Sequence, residues 1–197
     1  LILDPKKSKL SSSNNTETVI ADSNFLKTLL KFETTFTTST TSADMAMYQY
    51  TSGTSRALPE AVKHHHRAIV TVMIAALYAT GVRPGDKYMC PSSPAWGHGL
   101  WHGTLAPLAL GIEISTYAGK FDPEKLLAAI EKFEITNLSA AATHYRMMRN
   151  INNPKKYSLR LKKLSFTGEP LDTETAHWAK QTFGHDICSI YGSTEVG

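Results

Sequence analysis

The chain has 197 residues, a formal net charge of +4 and 42% hydrophobic residues. That is enough length for one ordinary domain and enough apolar content to bury a core, which excludes a disordered chain. Its basic residues are scattered, with only short clusters such as Lys6-Lys7 and Lys162-Lys163; no basic stripe with aromatic partners marks a nucleic-acid binder, and no nucleic acid is expected as a partner.

Residues 1–43 read as a polar, Ser/Thr-rich lead-in. Phe25, Leu26, Leu29, Leu30 and Phe32 recur there at helical spacing and predict one short amphipathic helix. The chain opens on Leu1-Ile2-Leu3 and stops at Gly197, so both ends are expected to be cut from something longer.

Residues 44–197 are more regular and form the second part. Met45–Tyr50 reads as a buried strand. An apolar helix is predicted from about His65 to Ala79, stopped by Gly81 and the Arg83-Pro84-Gly85-Asp86 turn. Lys87–Cys90 reads as a strand. Gly97–Leu110 reads as a helix weakened by three glycines. Ile112–Tyr117 is a strand, and Asp122-Pro123 caps a helix whose apolar face is Leu126, Leu127, Ile130 and Phe133. Strands are predicted at Ile135–Leu138, Leu161–Phe166 and Ile187–Tyr191. Helices begin at His144 and run from Asp172 to Phe183. This alternation gives an α/β fold with a largely parallel sheet flanked by helices, whose ligands lie beyond the carboxyl ends of the strands.

Cys90 and Cys188 stand in stretches that read as buried strands, with no CxxC pair, so two free thiols in a reducing cytoplasm are expected. The longest apolar run, Ala68–Ala79, falls short of the ~20 residues that cross a bilayer, so no transmembrane segment is expected. His64-His65-His66 cannot converge on one ion within a helix, where each residue turns ~100°; a solvated or helix-entry role is expected. His98 and His102 are expected to line a pocket or pack, Trp101 and Trp178 to be core, and Met147-Met148 to pack inside. A dinucleotide-dependent oxidoreductase would need GxGxxG, and Gly97, Gly99 and Gly103 have the wrong spacing.

Three segments follow strands and carry chemistry. In Tyr50-Thr51-Ser52-Gly53-Thr54-Ser55, glycine lets backbone approach a phosphate while amides and hydroxyls donate to it. Thr167-Gly168-Glu169-Pro170-Leu171 is a tight turn. In Tyr191-Gly192-Ser193-Thr194-Glu195, the ring can stack on a base and the carboxylate can hold Mg2+. Each alone is equally a plain turn.

Together, in this order, they resemble the signature segments of the adenylate-forming superfamily, in particular its acyl-CoA synthetase and acetyl-CoA synthetase-like branch. Tyr191–Glu195 fits the family's YGxTE segment, and Thr167–Leu171 is similar to its GEP turn. Pro91–Gly97, Phe121–Pro123 and Ala142–Met148 resemble segments at corresponding places. The resemblance implies part of the large N-terminal domain of an enzyme that activates a carboxylic acid with ATP and Mg2+ and passes the acyl group to coenzyme A.

By the same resemblance, Thr51, Ser52, Gly53, Thr54 and Ser55 would hold the β- and γ-phosphates. Gly168, Glu169 and Pro170 would line the adenine site and Tyr191 would stack on the base. Gly192, Ser193 and Thr194 would complete the ATP site, with Thr194 on the α-phosphate. Glu195 would ligate Mg2+, and Thr194 and Glu195 would be the catalytic pair. Trp96 and His98 would lie by the acyl pocket. After the hydroxyl run the family usually has a glycine and then Pro-Lys; here Arg56 and Glu60 hold the glycine and lysine positions. Arg56 and Lys63 are the candidates for the missing positive charge. Family members also add a ribose-binding Asp and a small C-terminal domain with a catalytic lysine, so these 197 residues alone are expected to catalyse little or nothing. A catalytically weak nucleotide-binding or interaction domain of the same fold is the alternative. Short, medium-chain and aromatic acids all remain open.

Overall fold

The computed structural model describes residues 2–3, 19–50 and 61–195. The chain divides into two compact units, Leu1–Thr40 and Thr41–Gly197.

In the first unit, β1 (Ile2–Leu3) pairs in parallel with β2 (Val19–Ile20). The helix α1 (Ser23–Leu29) follows, capped by Asp22, whose carboxylate accepts from the amides of Asn24 at 3.0 Å and Phe25 at 2.8 Å. The expected amphipathic helix therefore exists, but Phe32 lies beyond it. Leu26, Leu29 and Leu30 are exposed, and only Phe25 is partly covered.

The second unit opens with an antiparallel pair, β3 (Met45–Tyr50) and β4 (Ala61–His65). Strand alternation points Gln49 and His64 inward and leaves Tyr48, Tyr50 and Lys63 exposed. His64 is thus a buried strand residue, not a solvated or helix-entry one. The helix α2 begins only at Ala68 (Ala68–Ala75) and runs on as a π-helical turn, Ala76–Thr80, until Gly81 reverses the chain at φ +66°.

A five-stranded parallel sheet forms the centre of this unit. Its strands are β5 (Lys87–Cys90), β6 (Glu113–Thr116), β7 (Asn137–Ala141), β8 (Lys163–Thr167) and β9 (Ile187–Ser189), in the order β6-β5-β7-β8-β9. After β5 come a π-helix, His98–Leu105, and the short α3 (Ala106–Ala109). The helices α4 (Pro123–Lys132), α5 (Ala142–Arg149) and α6 (Thr173–Phe183) link the later strands, with a 3-10 turn at Pro154–Lys156. Asp122 and Asp172 cap α4 and α6 as the sequence predicts.

Alternation along the strands builds two cores. Met89, Leu138, Ala140 and Leu164 face α4, α5 and α6, where Leu126, Leu127, Ile130, Tyr145 and Met148 are fully buried. Tyr88 and Cys90 face the other way, against Val72 of α2, Ala76 of its π-helical continuation and Trp101. Phe133 is exposed because it is the residue after α4's last turn. Met147 is exposed because it stands a helical step, ~100°, from buried Met148. Cys188 is exposed rather than buried: Ile187 packs on the first core, and its neighbour on edge strand β9 points to the opposite face. Among the described residues no helix is long and apolar enough to cross a membrane.

At the amino ends of the strands, Lys163 donates to Asp86 and to the Gly81 carbonyl, each at 2.7 Å, and the Asn137 amide donates to the Thr80 carbonyl at 3.1 Å. These bonds tie β5, β7 and β8 to the end of the α2 helix and leave the carboxyl ends for the loops described next.

Candidate functional site

The order β6-β5-β7 contains a reversal. The chain leaves β5 for β6 on one side, then returns across β5 to β7 on the other. The helices after β5 and after β7 cover opposite faces of the sheet, so a crevice opens between the carboxyl ends of these two strands.

His98 spans that crevice. Its Nδ1 is 3.0 Å from Ser92 Oγ, just after β5, and its Nε2 is 2.9 Å from Ser139 Oγ, on β7. Cys90 Sγ lies 3.9 Å from Nε2. Burial, then the neighbouring His102 and His144, push the His98 pKa down to about 4, so the ring is neutral near pH 7. A neutral imidazole has one donor and one acceptor, and a hydroxyl can meet either. Burial also pushes the Cys90 thiol up to about 11, which keeps it protonated.

The glycines around His98 are there for space. A Cβ on Gly99 would fall 2.1 Å from the Ser93 carbonyl oxygen, and one on Gly103 would fall 2.9 Å from Cys90 Sγ. The sequence suggests a weakened helix at these glycines. The structure has a continuous one in π geometry, pressed onto β5 and the loop after it. Trp101, on the same helix, donates its indole N–H to Gln49 Oε1 at 3.0 Å and meets the His64 ring edge-on at 5.0 Å.

The loops after β8 and β9 form the facing wall. The Thr167 hydroxyl donates to the Ile190 carbonyl at 3.0 Å and joins the two. Gly168 takes φ +96°, a conformation that side chains disfavour. Arg146 of α5 braces this turn: it donates to Glu169 Oε1 at 2.9 Å, to the Pro170 carbonyl at 3.1 Å and to Asp172 at 3.3 Å. Arg149 adds Asp172 and Glu174, each at 3.1 Å. Past buried Ile190, Tyr191 is 96% exposed, so its whole ring is free for a ligand. The Ser193 hydroxyl, the Glu195 backbone amide and His64 hold the Glu195 carboxyl below the usual glutamate range.

Three neighbouring concavities result. A slot of about 240 Å³ has Trp96, His98, Trp101 and His102 on one side and Thr167, Gly168, Ile190 and Gly192–Thr194 on the other. A groove of about 580 Å³ shares Gly168 and Gly192 with the slot and adds Glu169, Pro170 and Tyr191. A third, of about 640 Å³, brings Lys63, His64, His65 and Arg67 toward Glu195. The structure thus gathers Trp96, His98, Gly168, Gly192, Ser193 and Thr194 in one slot, with Glu169, Pro170 and Tyr191 alongside. Glu195 stands apart, in the basic groove. Thr51, Ser52, Gly53, Thr54 and Ser55, with Arg56 and Glu60, lie outside the described residues.

Three residues of the site are not singled out from sequence for their part in it. Ser139 could have been found as the one hydroxyl in the run Leu138-Ser139-Ala140-Ala141, on a strand buried on both faces. Ser92 and Arg146 carry no such local signal, whereas His102 lines the slot as the sequence expects.

Comparison with known proteins gives the following. The family model described as "AMP-binding enzyme" matches residues 2–197. An uncharacterized acyl-CoA ligase of Bacillus subtilis is 31% identical over 81% of this chain and 30% of its own length. A 4-hydroxybutyrate-CoA ligase of Metallosphaera sedula is 28% identical over 78% of this chain and 27% of its own length. The chain therefore spans less than a third of these curated relatives. The crystal structure of an acyl-CoA synthetase of Brucella canis superposes with a TM-score of 0.86 at 26% identity, covering 98% of this chain and 38% of that one.

Proposed function

The chain belongs to the family of AMP-binding enzymes, and on that premise we propose that the whole protein is an acid–CoA ligase of which these residues form the ATP- and acid-handling part. The reaction has two steps. A carboxylate oxygen attacks the α-phosphorus of ATP, the bond to pyrophosphate breaks, and an acyl-adenylate forms. The sulfur of coenzyme A then attacks the acyl carbonyl, AMP leaves, and the thiol proton passes to solvent.

The observation that carries this reading is the shared wall of the slot and the groove beside it. The joined loops after β8 and β9 serve both, so an acid in the slot and a base in the groove would meet at Gly192, with Ser193 and Thr194 on the slot side. There, backbone amides and the Thr194 hydroxyl can donate to phosphate oxygens as charge builds. Tyr191 offers a fully exposed ring for stacking on adenine, and Gly168-Glu169-Pro170, braced by Arg146, forms the edge of that groove. Thr51–Ser55 would hold the outer phosphates, as the sequence expects.

In the basic groove Glu195 is the residue that suits a divalent cation. Its carboxylate is exposed and ionised, and phosphate oxygens and water would complete an oxygen shell around Mg2+. Bound there, Mg2+ would offset phosphate charge and polarise the α-phosphate. Lys63 and Arg67 line the same groove and would add positive charge toward the phosphates, since the sequence has Glu60 at the family's usual lysine position.

The test is acid-dependent AMP release by the full-length protein with and without coenzyme A. The proposal expects release that needs ATP, an acid and coenzyme A together. Binding of ATP with no AMP formed from any acid would favour a nucleotide-binding domain instead.

A further inference from the structure

The slot is small, its helix wall is fixed, and among the described residues none of its lining side chains is charged. Its volume of about 240 Å³ lies below the ~300–1,000 Å³ of ordinary ligand pockets. The helix forming one wall has no slack to move outward, because Gly99 and Gly103 already bring its backbone against the Ser93 carbonyl and Cys90. Trp101 is anchored by Gln49. His98 is anchored at both nitrogens, by Ser92 from the β5 side and Ser139 from the β7 side, and so closes the crevice between the strands. His102 is buried, with 6% exposed, its Nδ1 has no hydrogen-bond partner among the described residues, and burial pushes its pKa down, so this wall supplies no compensating charge.

We infer, building on the ligase reading, that the slot is an acid pocket closed by His98, and that it selects monocarboxylic acids with a short, uncharged tail. A second carboxylate or an ammonium would enter the slot desolvated and unpaired, which is costly. A long chain would run into the His98 bridge. His98 is here a specificity-determining residue: it limits the length of the tail and takes no part in the chemistry.

The experiment is acid-dependent ATP–pyrophosphate exchange by the full-length protein with hexanoate, benzoate, succinate, dodecanoate and palmitate. Hexanoate or benzoate should exceed succinate and palmitate in kcat/KM by about a hundredfold. Preference for succinate, dodecanoate or palmitate overturns the inference and leaves the ligase reading intact. Absence of exchange with every acid overturns the ligase reading and the inference with it. The variant His98→Ala should gain activity on dodecanoate at least about tenfold relative to hexanoate, with the KM for ATP unchanged. A folded variant whose chain-length preference is unmoved would overturn the role given to His98. If that variant fails to fold, His98→Ser is used for the same reading.

Discussion

The helices on the two faces of the central sheet are buried in different ways. On one face, α4 is amphipathic, and Leu126, Leu127 and Ile130 are all fully buried against β5, β7 and β8. On the other, α2 and its π-helical continuation are apolar nearly all round; Val72 and Ala76 are buried, while Val70, Ile74 and Tyr78 are exposed. The strand residues differ in the same sense. Leu138 and Ala140 of β7 face α4 and α5, whereas Asn137 and Ser139 point to the face that carries the slot. The first face supplies stability through apolar burial. The second gives up part of its apolar surface to hydroxyls and imidazoles that fix a pocket.

The largest effect should come from the closed face. Leu127→Ala should cost about 2–5 kcal/mol, because the fully buried site cannot refill. Urea denaturation checks this as a lowered midpoint at unchanged slope.

An intermediate effect belongs to the pocket face. His98 has a folded pKa of about 4 against the ordinary 6.5, so between these values the unfolded chain binds a proton that the folded one refuses. Its contribution is complete above about pH 6.5 and is lost as pH falls, by up to about 1.4 kcal/mol per unit. Stability measured from pH 7 to 4 should fall less steeply in His98→Gln, since that residue's share of the slope is gone. Neighbouring His102 and His144, also depressed by burial, would keep theirs.

The smallest effect should be on the exposed stripe of α2. Val70→Thr with Ile74→Gln should change the stability of the 197-residue chain by no more than about 0.5 kcal/mol. The same pair should visibly reduce its binding of an apolar dye. A loss comparable to Leu127→Ala would mean that the two faces are equally closed.

The same contrast explains what could be read from sequence. The face covered by α4, α5 and α6 was legible because its signals are local: Asp122-Pro123, Asp172 and the spacing of Leu126, Leu127 and Ile130 each act within one helix. The parallel order followed from alternation of strands and helices. The pocket face was less legible because its determinants are far apart in sequence. His98 finds Ser139 forty-one positions away, and Trp101 finds Gln49 fifty-two away. His64 was misplaced because an apolar run suggested a helix starting near it, whereas pairing with β3 makes it a strand residue. The glycines at 97, 99 and 103 signalled a weak helix locally; their purpose, close approach to β5 and its loop, exists only in three dimensions. For Glu195 and Tyr191, the short motif placed the residues at a strand's end, and the fold adds which neighbours they face.

The most direct measurement is ATP–pyrophosphate exchange by the full-length protein and its Glu195→Gln variant, across a Mg2+ titration with a productive acid present. Acid-dependent exchange that falls by two orders of magnitude or more in the variant, with a higher Mg2+ requirement, is the predicted result. Exchange that keeps its rate and its Mg2+ dependence after the substitution would contradict the placement of Glu195 at the reacting phosphates, and with it this account of the site.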